Sequence, residues 1–300
     1  AINAMRRDVL NQLTALRARR DTPRLGRPRP FARHAGNRHH PGMTVQVTTR
    51  EQITGRLLKA APQVLYVPIH LLTEDIPFCR ELSRRVNVCA VLPRIVHDSE
   101  IPALCAAMRE IRLAGVNQVL VGNLGLIIPA RDCHMQVRGD FGLNLFNSGA
   151  VNAARELELA SATLSFEMTL PQIRDVSKAV PCEILCYGRL PLMVTENCLI
   201  RGRTRQCTCQ LGATKLTDKT GAEFPIIKDG NTCRSVLLNG KKLNWLDRQN
   251  DLSRLGLWAT RLYFTTENPK EVDQILAAYN DPPAFDPGAC TRGLYLRGLD

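Results

Sequence analysis

Short runs of β-branched and other apolar residues alternate with longer charged, amphipathic stretches from Thr44 onward, and this repetition constrains the fold most strongly. The predicted strands are Val45–Thr49, Val64–Pro68, Val88–Leu92, Gln118–Gly122, Gly142–Phe146, Thr163–Phe166, Glu183–Tyr187 and Ala259–Thr265. The predicted helices between and after them are Glu51–Ala60, Glu74–Arg85, Ile101–Ala114, Asn152–Leu159, Leu170–Val180 and Pro269–Tyr279. Strands that alternate with helices are typical of parallel βαβ units.

Eight such units in about 240 residues are what a closed (β/α)8 barrel requires. We therefore predict an α/β fold, a TIM-like (β/α)8 barrel, with a doubly wound open sheet as the alternative. The predicted organisation has four parts. Residues 1–42 form an N-terminal helix and basic linker, 43–188 the first seven strand units, 189–256 a cysteine-rich insertion, and 257–300 the last strand–helix unit and tail.

The insertion between the seventh and eighth strands carries four cysteines, Cys198, Cys207, Cys209 and Cys233, in the spacing C-x8-C-x-C-x23-C. Four thiolates can close a tetrahedral zinc site or hold an iron–sulfur cluster. The chain lacks the two C-x2-C knuckles of zinc ribbons, and a cluster tolerates long, irregular loops better. The spacing predicts a metal or cluster on the C-terminal face of the barrel, where barrel active sites lie; the alternative is free thiols. Nearby arginines would offset the thiolate charge: Arg201, Arg203, Arg205 and Arg234.

The N-terminal part of the chain combines a helix with a basic linker. Residues 2–18 place apolar side chains at helical spacing and predict an amphipathic helix. The segment Arg17–His40 is rich in Arg, His and Pro and nearly free of acids, which is typical of a solvated tether, with RNA or phosphate contact as the alternative. The net charge of +12 and the pI of about 9.4 favour a polyanionic partner such as RNA.

The number and positions of the cysteines, together with the hydropathy of the chain, indicate the cellular compartment of the protein. The eleven cysteines are an odd number, and several lie within strand or helix patterns. Buried thiols with one metal site suit a reducing cytoplasm better than a disulfide framework. The sequence has no run of about 18 apolar residues and no signal-peptide pattern at its beginning. We therefore expect a cytoplasmic protein without a membrane partner.

Polar residues follow several predicted strands at the ends that would form the C-terminal face. They are His70, Asn123, Asn144, Asn147, Glu167 and Arg189. Each one alone is better explained as a loop cap or hydrogen-bond partner, and only their shared location indicates a site. Glu167 and Glu183 are the candidate catalytic acids. For Glu183 the alternative is a strand residue paired with Arg189 or Arg261.

Several common catalytic motifs are missing from the sequence. It contains no G-x-S-x-G nucleophile elbow, no H-E-x-x-H zinc motif and no Cys–His–Asn signature in a convincing context. It also lacks the glycine-rich phosphate loops G-x-x-x-x-G-K and G-x-G-x-x-G. The sequence therefore does not predict hydrolysis by these constellations or nucleotide binding by these loops.

The segment Glu183-x4-Gly188-x-Leu190-x7-Cys198 resembles the signature of peptidase family U32, the collagenase-like proteins. The signature is matched imperfectly, because Pro191 and Glu196 stand where the family has a cysteine and a glycine. The chain is thus similar to the C-terminal half of a long member. Further stretches that resemble long-chain members are Asn3–Arg7, Gly139–Ser148, Thr163–Met168, Thr217–Pro225 and Thr291–Gly298.

The resemblance also implies a cofactor and a reaction that the family's name does not state. Better understood members hold a four-iron cluster on four cysteines and take part in oxygen-independent hydroxylation of RNA bases or of the aromatic ring of a quinone precursor. By position, Cys198 matches the signature cysteine, and Cys207, Cys209 and Cys233 fall where further ligands of a 4Fe-4S cluster occur. The resemblance thus implies an iron–sulfur enzyme that hydroxylates RNA bases or a related aromatic substrate.

Two other functions stay open at this point. One is a collagenase-like peptidase, and the other is a non-catalytic half-barrel that completes a larger enzyme with an N-terminal half or a partner subunit. For an RNA substrate, the candidate contacts are Asn144, Asn147, Arg189, Arg201, Arg203 and Arg205.

Overall fold

The computed structural model of the chain describes residues 2–19, 26, 32–204, 214–230, 232–281 and 289–298, without the side chains of 202–204. The chain divides into two units, residues 1–31 and 32–300. In the first unit a single helix, α1, runs from Ile2 to Ala18, as the helical spacing predicts. Of the predicted linker, residues 20–25 and 27–31 lie outside the described residues. Among the described residues, no helix is both long and apolar enough to cross a lipid bilayer.

Eight parallel strands close into a barrel in the second unit, and the predicted (β/α)8 fold is confirmed. Strands β1 to β7 pair in chain order, and β13 pairs with both β1 and β7 to complete the ring. The barrel strands are β1 (Gly42–Gln46), β2 (Val64–Pro68), β3 (Val88–Val91), β4 (Gln118–Val121), β5 (Gln136–Gly139), β6 (Ala162–Thr163), β7 (Cys182–Gly188) and β13 (Ala259–Tyr263). Because this chain supplies all eight strands, a half-barrel does not describe it.

Helices pack around the barrel, and a polar side chain caps the N-terminus of several of them. Asn147 accepts a hydrogen bond from the N–H of Ala150, and Asn268 accepts from the N–H groups of Lys270 and Glu271. These caps fix where each loop on the C-terminal face turns into a helix. The helices are α2 (Gly55–Ala60), α3 (Ile69–Thr73), α4 (Ile76–Arg85), α5 (Ile101–Leu113), α6 (Ile127–Asp132), α7 (Ser148–Glu156), α8 (Leu170–Asp175) and α11 (Pro269–Asn280).

The fifth strand was predicted at Gly142–Phe146, and this is wrong, because β5 is Gln136–Gly139. Residues Phe141–Leu143 form a 3-10 turn that ends at Asn144 with a left-handed φ of 51°. Apolar side chains of this turn pack against the core and mimic strand alternation. The true strand carries Arg138, whose guanidinium donates to Gln118 Oε1 and Ser161 Oγ at 2.8 and 2.7 Å, so a hydrophobic pattern does not detect it.

The insertion between β7 and β13 folds mainly as a four-stranded antiparallel sheet in the order β8-β11-β10-β9. Two short strands extend the barrel sheet. They are β12, in the insertion, and β14, in the C-terminal tail; β12 pairs antiparallel with the end of β7 and parallel with β14. The bounds are β8 (Pro191–Thr195), α9 (Leu199–Thr204), β9 (Thr214–Thr217), β10 (Glu223–Lys228), β11 (Ser235–Leu238), β12 (Lys242–Asn244), α10 (Gln249–Ser253) and β14 (Cys290–Thr291).

The barrel interior contains a buried ion pair, Glu183 and Arg261, that is surrounded by further hydrogen bonds. The Glu183 carboxylate accepts from Thr44 Oγ1 at 2.8 Å, from Tyr66 Oη at 2.9 Å and from the Arg261 guanidinium. Arg261 also donates to Asp140 Oδ1 at 2.7 Å and lies over the Tyr66 ring. Burial alone would raise the pKa of Glu183, but Arg261 and the hydroxyl donors hold that pKa below its usual value. The network joins strands on opposite sides of the barrel.

We predict that replacing Arg261 with methionine destabilises the protein by about 3–5 kcal/mol, because Glu183 and Asp140 are left buried without their cation. The free energy of unfolding from urea denaturation measures this cost. The matched control is Arg85→Met, which removes an exposed i,i+4 pair with Glu81 and is expected to cost less than about 1 kcal/mol. Equal costs for the two variants would contradict a structural role of the Glu183–Arg261 pair.

Candidate functional site

A cleft of about 870 Å³ lies between the C-terminal mouth of the barrel and the insertion sheet. The barrel contributes the loops that follow β1, β2, β3 and β13, and the insertion contributes α9, β10, β11 and the turn between these two strands. The position agrees with the rule that barrel enzymes place their sites at the carboxyl ends of the strands. Aliphatic side chains form much of the wall: Val47, Ile69, Leu92, Ile200, Ile226 and Val236.

The rim of the cleft is held by a buried carboxylate after β13. Glu267 accepts hydrogen bonds from the N–H groups of Thr265 and Thr266, at 2.7 and 3.1 Å, and pairs with Lys242 Nζ at 2.9 Å. Gln52, from the loop after β1, donates to the carbonyl of Glu267 at 3.0 Å. These bonds fix the loops after the first and last barrel strands against each other, so this side of the cleft is rigid.

His70 and Asp229 are titratable groups whose pKa values are shifted at the cleft. His70 is the second residue of α3, the short helix after β2, and burial lowers the pKa of its imidazole. Asp229 lies at the turn between β10 and β11, and burial raises the pKa of its carboxyl. Within the described part of the chain, no hydrogen-bond partner reaches the buried Asp229 Oδ2. Both groups are thus biased toward their neutral forms, which is typical of groups that exchange protons.

The turn that carries Asp229 closes onto His70. Gly230 has a φ of +58°, a left-handed conformation that glycine adopts without strain. A Cβ at this position would lie 3.3 Å from His70 Nδ1, so the backbone of the turn approaches the imidazole closely. The insertion therefore covers the mouth of the barrel at the point where β2 ends.

Arg234 attaches the insertion to the barrel. Its side chain is 5% exposed and donates to Glu196 Oε1 at 2.8 Å, to Glu100 Oε2 at 3.0 Å and to the carbonyl of Ile95 at 3.0 Å. Glu196 also contacts His97 Nε2 at 2.8 Å. Glu100, Ile95 and His97 belong to the segment between β3 and α5, so one arginine joins the insertion to a loop of the barrel. Glu196, which stands where the family signature has a glycine, is thus one of the residues that hold the insertion against the barrel.

The two candidate acids lie outside the cleft lining. Glu183 is buried in the barrel interior, and its alternative pairing with Arg261 is confirmed. Glu167 is half-buried in the loop after β6, where its N–H donates to Ser165 Oγ at 3.3 Å. The geometry therefore favours His70 and Asp229 over these carboxylates as groups that can exchange a proton with a molecule in the cleft.

The described candidate RNA contacts have mixed surroundings. Asn144 and Asn147 are exposed, with Asn147 engaged as the cap of α7, and Arg201 is exposed after Cys198. Arg189 is engaged within the protein, since it donates to the carbonyls of Asn239 and Gly240. None of these four residues is among the described residues that line the cleft. The side chain of Arg203 and the whole of Arg205 lie outside the described residues.

Two of the four candidate metal ligands are described. Cys198 is half-buried after β8, and Cys233 is exposed before β11; both are free thiols. The antiparallel pairing of Thr195 with Ser235 brings the segments that carry them to the same end of the sheet. Cys207 and Cys209 lie outside the described residues. Among the residues that are described, no group of three or more His, Cys, Asp or Glu side chains can hold a metal ion.

Sequence reasoning missed Glu267, Thr265 and Asp229 as parts of the site. Glu267 had a detectable signal, since Thr265-Thr266-Glu267 directly follows the core of the eighth strand, at the same end as the other polar strand ends. Asp229 had no such signal, because it belongs to a turn of the insertion. Its position over the barrel mouth depends on contacts between distant parts of the chain.

A sequence model of the family described as Peptidase family U32 matches residues 69–283. None of the proteins with curated functions matches the chain. Solved structures to which the chain is similar include the U32 peptidase Mk0906, with 10% identity, a TM-score of 0.41, and coverage of 55% of this chain and 75% of that one.

Two further solved structures are similar. One is a mandelate racemase/muconate lactonizing enzyme from Bordetella bronchiseptica RB50, with 11% identity, a TM-score of 0.44 and coverage of 81% of this chain and 59% of the other. The second is orotidine 5'-phosphate decarboxylase from Pyrococcus horikoshii OT3, with 11% identity, a TM-score of 0.40 and coverage of 78% and 98%.

We predict that Arg234→Met loosens the insertion from the barrel and costs about 1–3 kcal/mol, because Glu196, Glu100 and the Ile95 carbonyl lose a buried donor. Hydrogen exchange should speed up in β8 and β11 but not in β1 to β4. The control Arg248→Met removes an exposed pair with Asp251 and should leave both regions unchanged. Uniformly faster exchange over the whole barrel would contradict the proposal that Arg234 stabilises only the contact between the insertion and the barrel.

We also predict opposite pH responses for two aspartates. The pKa of Asp229 is raised in the folded state, so its charge opposes folding at neutral pH, and Asp229→Asn should stabilise the protein there. That gain should disappear as the pH falls below the usual aspartate value of 3.8. The pKa of exposed Asp218 is lowered by hydrogen bonds from Thr220 and Ala222, so Asp218→Asn should instead destabilise at neutral pH. Unfolding curves at pH 7 check both signs, and curves at about pH 3 check that the gain of Asp229→Asn is lost. Equal signs for the two variants at pH 7 would contradict the assignment.

Proposed function

Since this chain belongs to peptidase family U32, we propose that it is an iron–sulfur enzyme that hydroxylates RNA bases or a related aromatic substrate bound in the cleft. The observation that carries the proposal is the position of two cysteines. The segments that carry Cys198 and Cys233 lie at the same end of the insertion sheet, and other parts of this insertion line the cleft. A cofactor held there would lie on the face of the barrel where substrates bind.

The described surroundings of these thiols fit a cluster. The N–H of Arg201 lies 3.3 Å from Cys198 Sγ, and hydrogen bonds of this kind tune the potential of cluster sulfurs. Ser235 Oγ accepts from the N–H of Leu199 at 3.2 Å, which ties the chain after Cys198 to β11 two residues beyond Cys233. Cys207 and Cys209 belong to the same insertion and complete the proposed ligand set. Zinc on the same four thiolates is the alternative.

The cluster would supply electron transfer when bound, and the residues of the cleft have separate tasks. Aliphatic walls on both the barrel and the insertion exclude water and suit a flat aromatic ring. His70 and Asp229, biased toward neutral forms by burial, are the proposed groups that move protons to and from the substrate. The rigid rim around Glu267 holds the ring in position.

Charge supports RNA as the substrate class. The chain carries a net charge of +12, and Arg201 is exposed directly beside Cys198. Arginine binds phosphate with a planar pair of donors and is favoured wherever backbone phosphates are held. Arg203 and Arg205 follow in the sequence and are further proposed RNA contacts, while Asn144 and Asn147 are proposed contacts at another edge of the C-terminal face.

Peptidase activity, the other function associated with the family, has weaker support from the cleft. The described residues that line it include no serine and no cysteine, so the common nucleophiles of hydrolysis are missing from that lining. A proteolytic site would have to use a threonine of the rim, a metal or residues elsewhere. The cluster proposal is supported instead by the two described cysteines, whose segments lie at the same end of the insertion sheet.

We predict that the protein purified without oxygen contains about four iron and four sulfide per chain, and that Cys198→Ser or Cys233→Ser loses most of both. The measurement is metal and acid-labile sulfide analysis together with the visible absorption spectrum. Cys290→Ser is the matched control, because Cys290 is a half-buried free thiol outside the insertion, and it should keep the iron.

Two outcomes would contradict the proposal. One is stoichiometric zinc with no sulfide in a colourless protein. The other is cleavage of casein or gelatin by the wild type that survives loss of all four insertion cysteines, which would favour a peptidase.

A further inference from the structure

We propose that the N-terminal face of the barrel carries a phosphate-binding pocket that holds the backbone of an RNA chain. The RNA part of this inference rests on the proposed function, while the phosphate pocket stands on its own geometry. The pocket, of about 200 Å³, lies among the segment 32–36, the loop before β7 and the loop before β13. Loops that precede barrel strands lie at the end opposite the cleft.

The backbone of the pocket is fixed by long-range hydrogen bonds. The N–H of His34 donates to Ser177 Oγ at 2.9 Å, and the N–H of Lys178 donates to the His34 carbonyl at 3.1 Å. The N–H of Asn37 donates to the Gly256 carbonyl at 2.9 Å. A Cβ on Gly36 would lie 2.5 Å from the Gly256 carbonyl oxygen, so only glycine permits this approach. The end of the basic linker is therefore a structured wall of the pocket.

Positive charge exceeds negative charge around the pocket. Four of its residues are cationic, Arg33, Arg174, Lys178 and Arg254, and Asp175 is its acidic residue. Arg174 is engaged with Asp175 at 2.7 Å, and Lys178 Nζ donates to carbonyls at the end of α8, including Val176 at 2.9 Å. These two cations add positive potential to the pocket, but most of their hydrogen-bond donors are already engaged within the protein.

Arg33 and Arg254 keep their guanidinium donors available. Both are exposed, and within the described part of the chain neither side chain makes a hydrogen bond or ion pair. Arg33 acts on the Asp175 carboxylate only at longer range. Two guanidinium groups at one pocket present paired donors that match phosphate oxygens.

The wall of the pocket also contains an imidazole nitrogen without a partner among the described residues. His34 Nε2 has no hydrogen-bond partner in the described part of the protein, although the atom is buried. His34 lines the pocket, and an imidazole can donate from Nε2 to a phosphate oxygen. A phosphate in the pocket is therefore held by the two guanidinium groups, and a turn of the His34 ring toward the pocket would add Nε2 as a donor.

The position of the pocket favours a chain of nucleotides over a single nucleotide. Strand β7 has seven residues and spans about 23 Å at 3.3 Å per residue, so the pocket and the cleft are separated by roughly that height. One nucleotide cannot contact both. An RNA with its target base in the cleft can follow the side of the barrel and place a distant phosphate in the pocket, which would add affinity without reading sequence.

The test compares the full-length wild type with Arg33→Met/Arg254→Met. The control Arg84→Met/Arg112→Met removes two exposed arginines near the C-terminal ends of α4 and α5, at the same end of the barrel. Binding of a single-stranded oligouridylate of about twelve nucleotides is measured over a range of salt concentrations. The pocket variant should bind about ten-fold more weakly, and its salt slope should fall by about 0.7, because the two arginines hold one phosphate and each phosphate contact on a single strand contributes about 0.7.

The control variant also loses two positive charges. It therefore distinguishes the loss of a specific phosphate site from a general reduction of the positive charge of the protein. If both variants lose affinity and slope equally, the pocket assignment is overturned. Inorganic phosphate is tested in parallel by its effect on the melting temperature. If phosphate stabilises the wild type but not the pocket variant while oligouridylate binding is unchanged, the pocket takes a small phosphorylated molecule and the RNA assignment is overturned.

Failure of this inference is distinguishable from failure of the proposed function. Iron and sulfide content are measured on the same preparations and should be equal in all three proteins, because the pocket lies at the end of the barrel opposite the insertion. Normal iron with an unchanged salt slope overturns the RNA-binding pocket alone. A reduced slope in a protein without iron overturns the iron–sulfur proposal alone.

Discussion

The buried pair of Glu183 and Arg261 is the interaction on which the rest of the structure depends. Both side chains are fully buried, and a lone charge in such an interior costs several kcal/mol. Strand β7 carries the acid and β13 the base, so the pair forms only when these strands lie side by side. Residues 189–258 separate the two strands in sequence. The barrel can therefore accept a long insertion at this seam without losing its closure.

Closure at this seam determines what the insertion can do. Its sheet begins directly after β7 and returns before β13, so it projects from the C-terminal face. Arg234, Glu196 and Glu100 then hold it against the loop after β3, and Gly230 lets its turn approach His70. A cleft results, with one wall from the barrel and one from the insertion. The proposed cluster ligands lie on the insertion, and the proposed proton-exchanging groups come from both sides.

The sequence predicts the repeating elements well, because strand–helix alternation is local and strongly periodic. It fails at β5, where Arg138 faces the barrel interior and hydrogen bonds replace apolar contacts. It predicted the interior position of Glu183 and a possible pairing with Arg261. It could not place Asp229 at the cleft, because that contact depends on the docking of the insertion. The cysteine spacing predicted a shared site, and the register of β8 with β11 brings Cys198 and Cys233 to one end of the sheet.

We propose that a four-iron cluster links these features and lies beside the cleft, at the end of the insertion sheet near Cys198 and Cys233. Anomalous diffraction from crystals grown without oxygen tests it directly, with data collected at the iron and zinc absorption edges. We predict a strong iron peak within bonding distance of Cys198 Sγ and Cys233 Sγ. A peak at the zinc edge only, or no metal beside these two thiols, would contradict it.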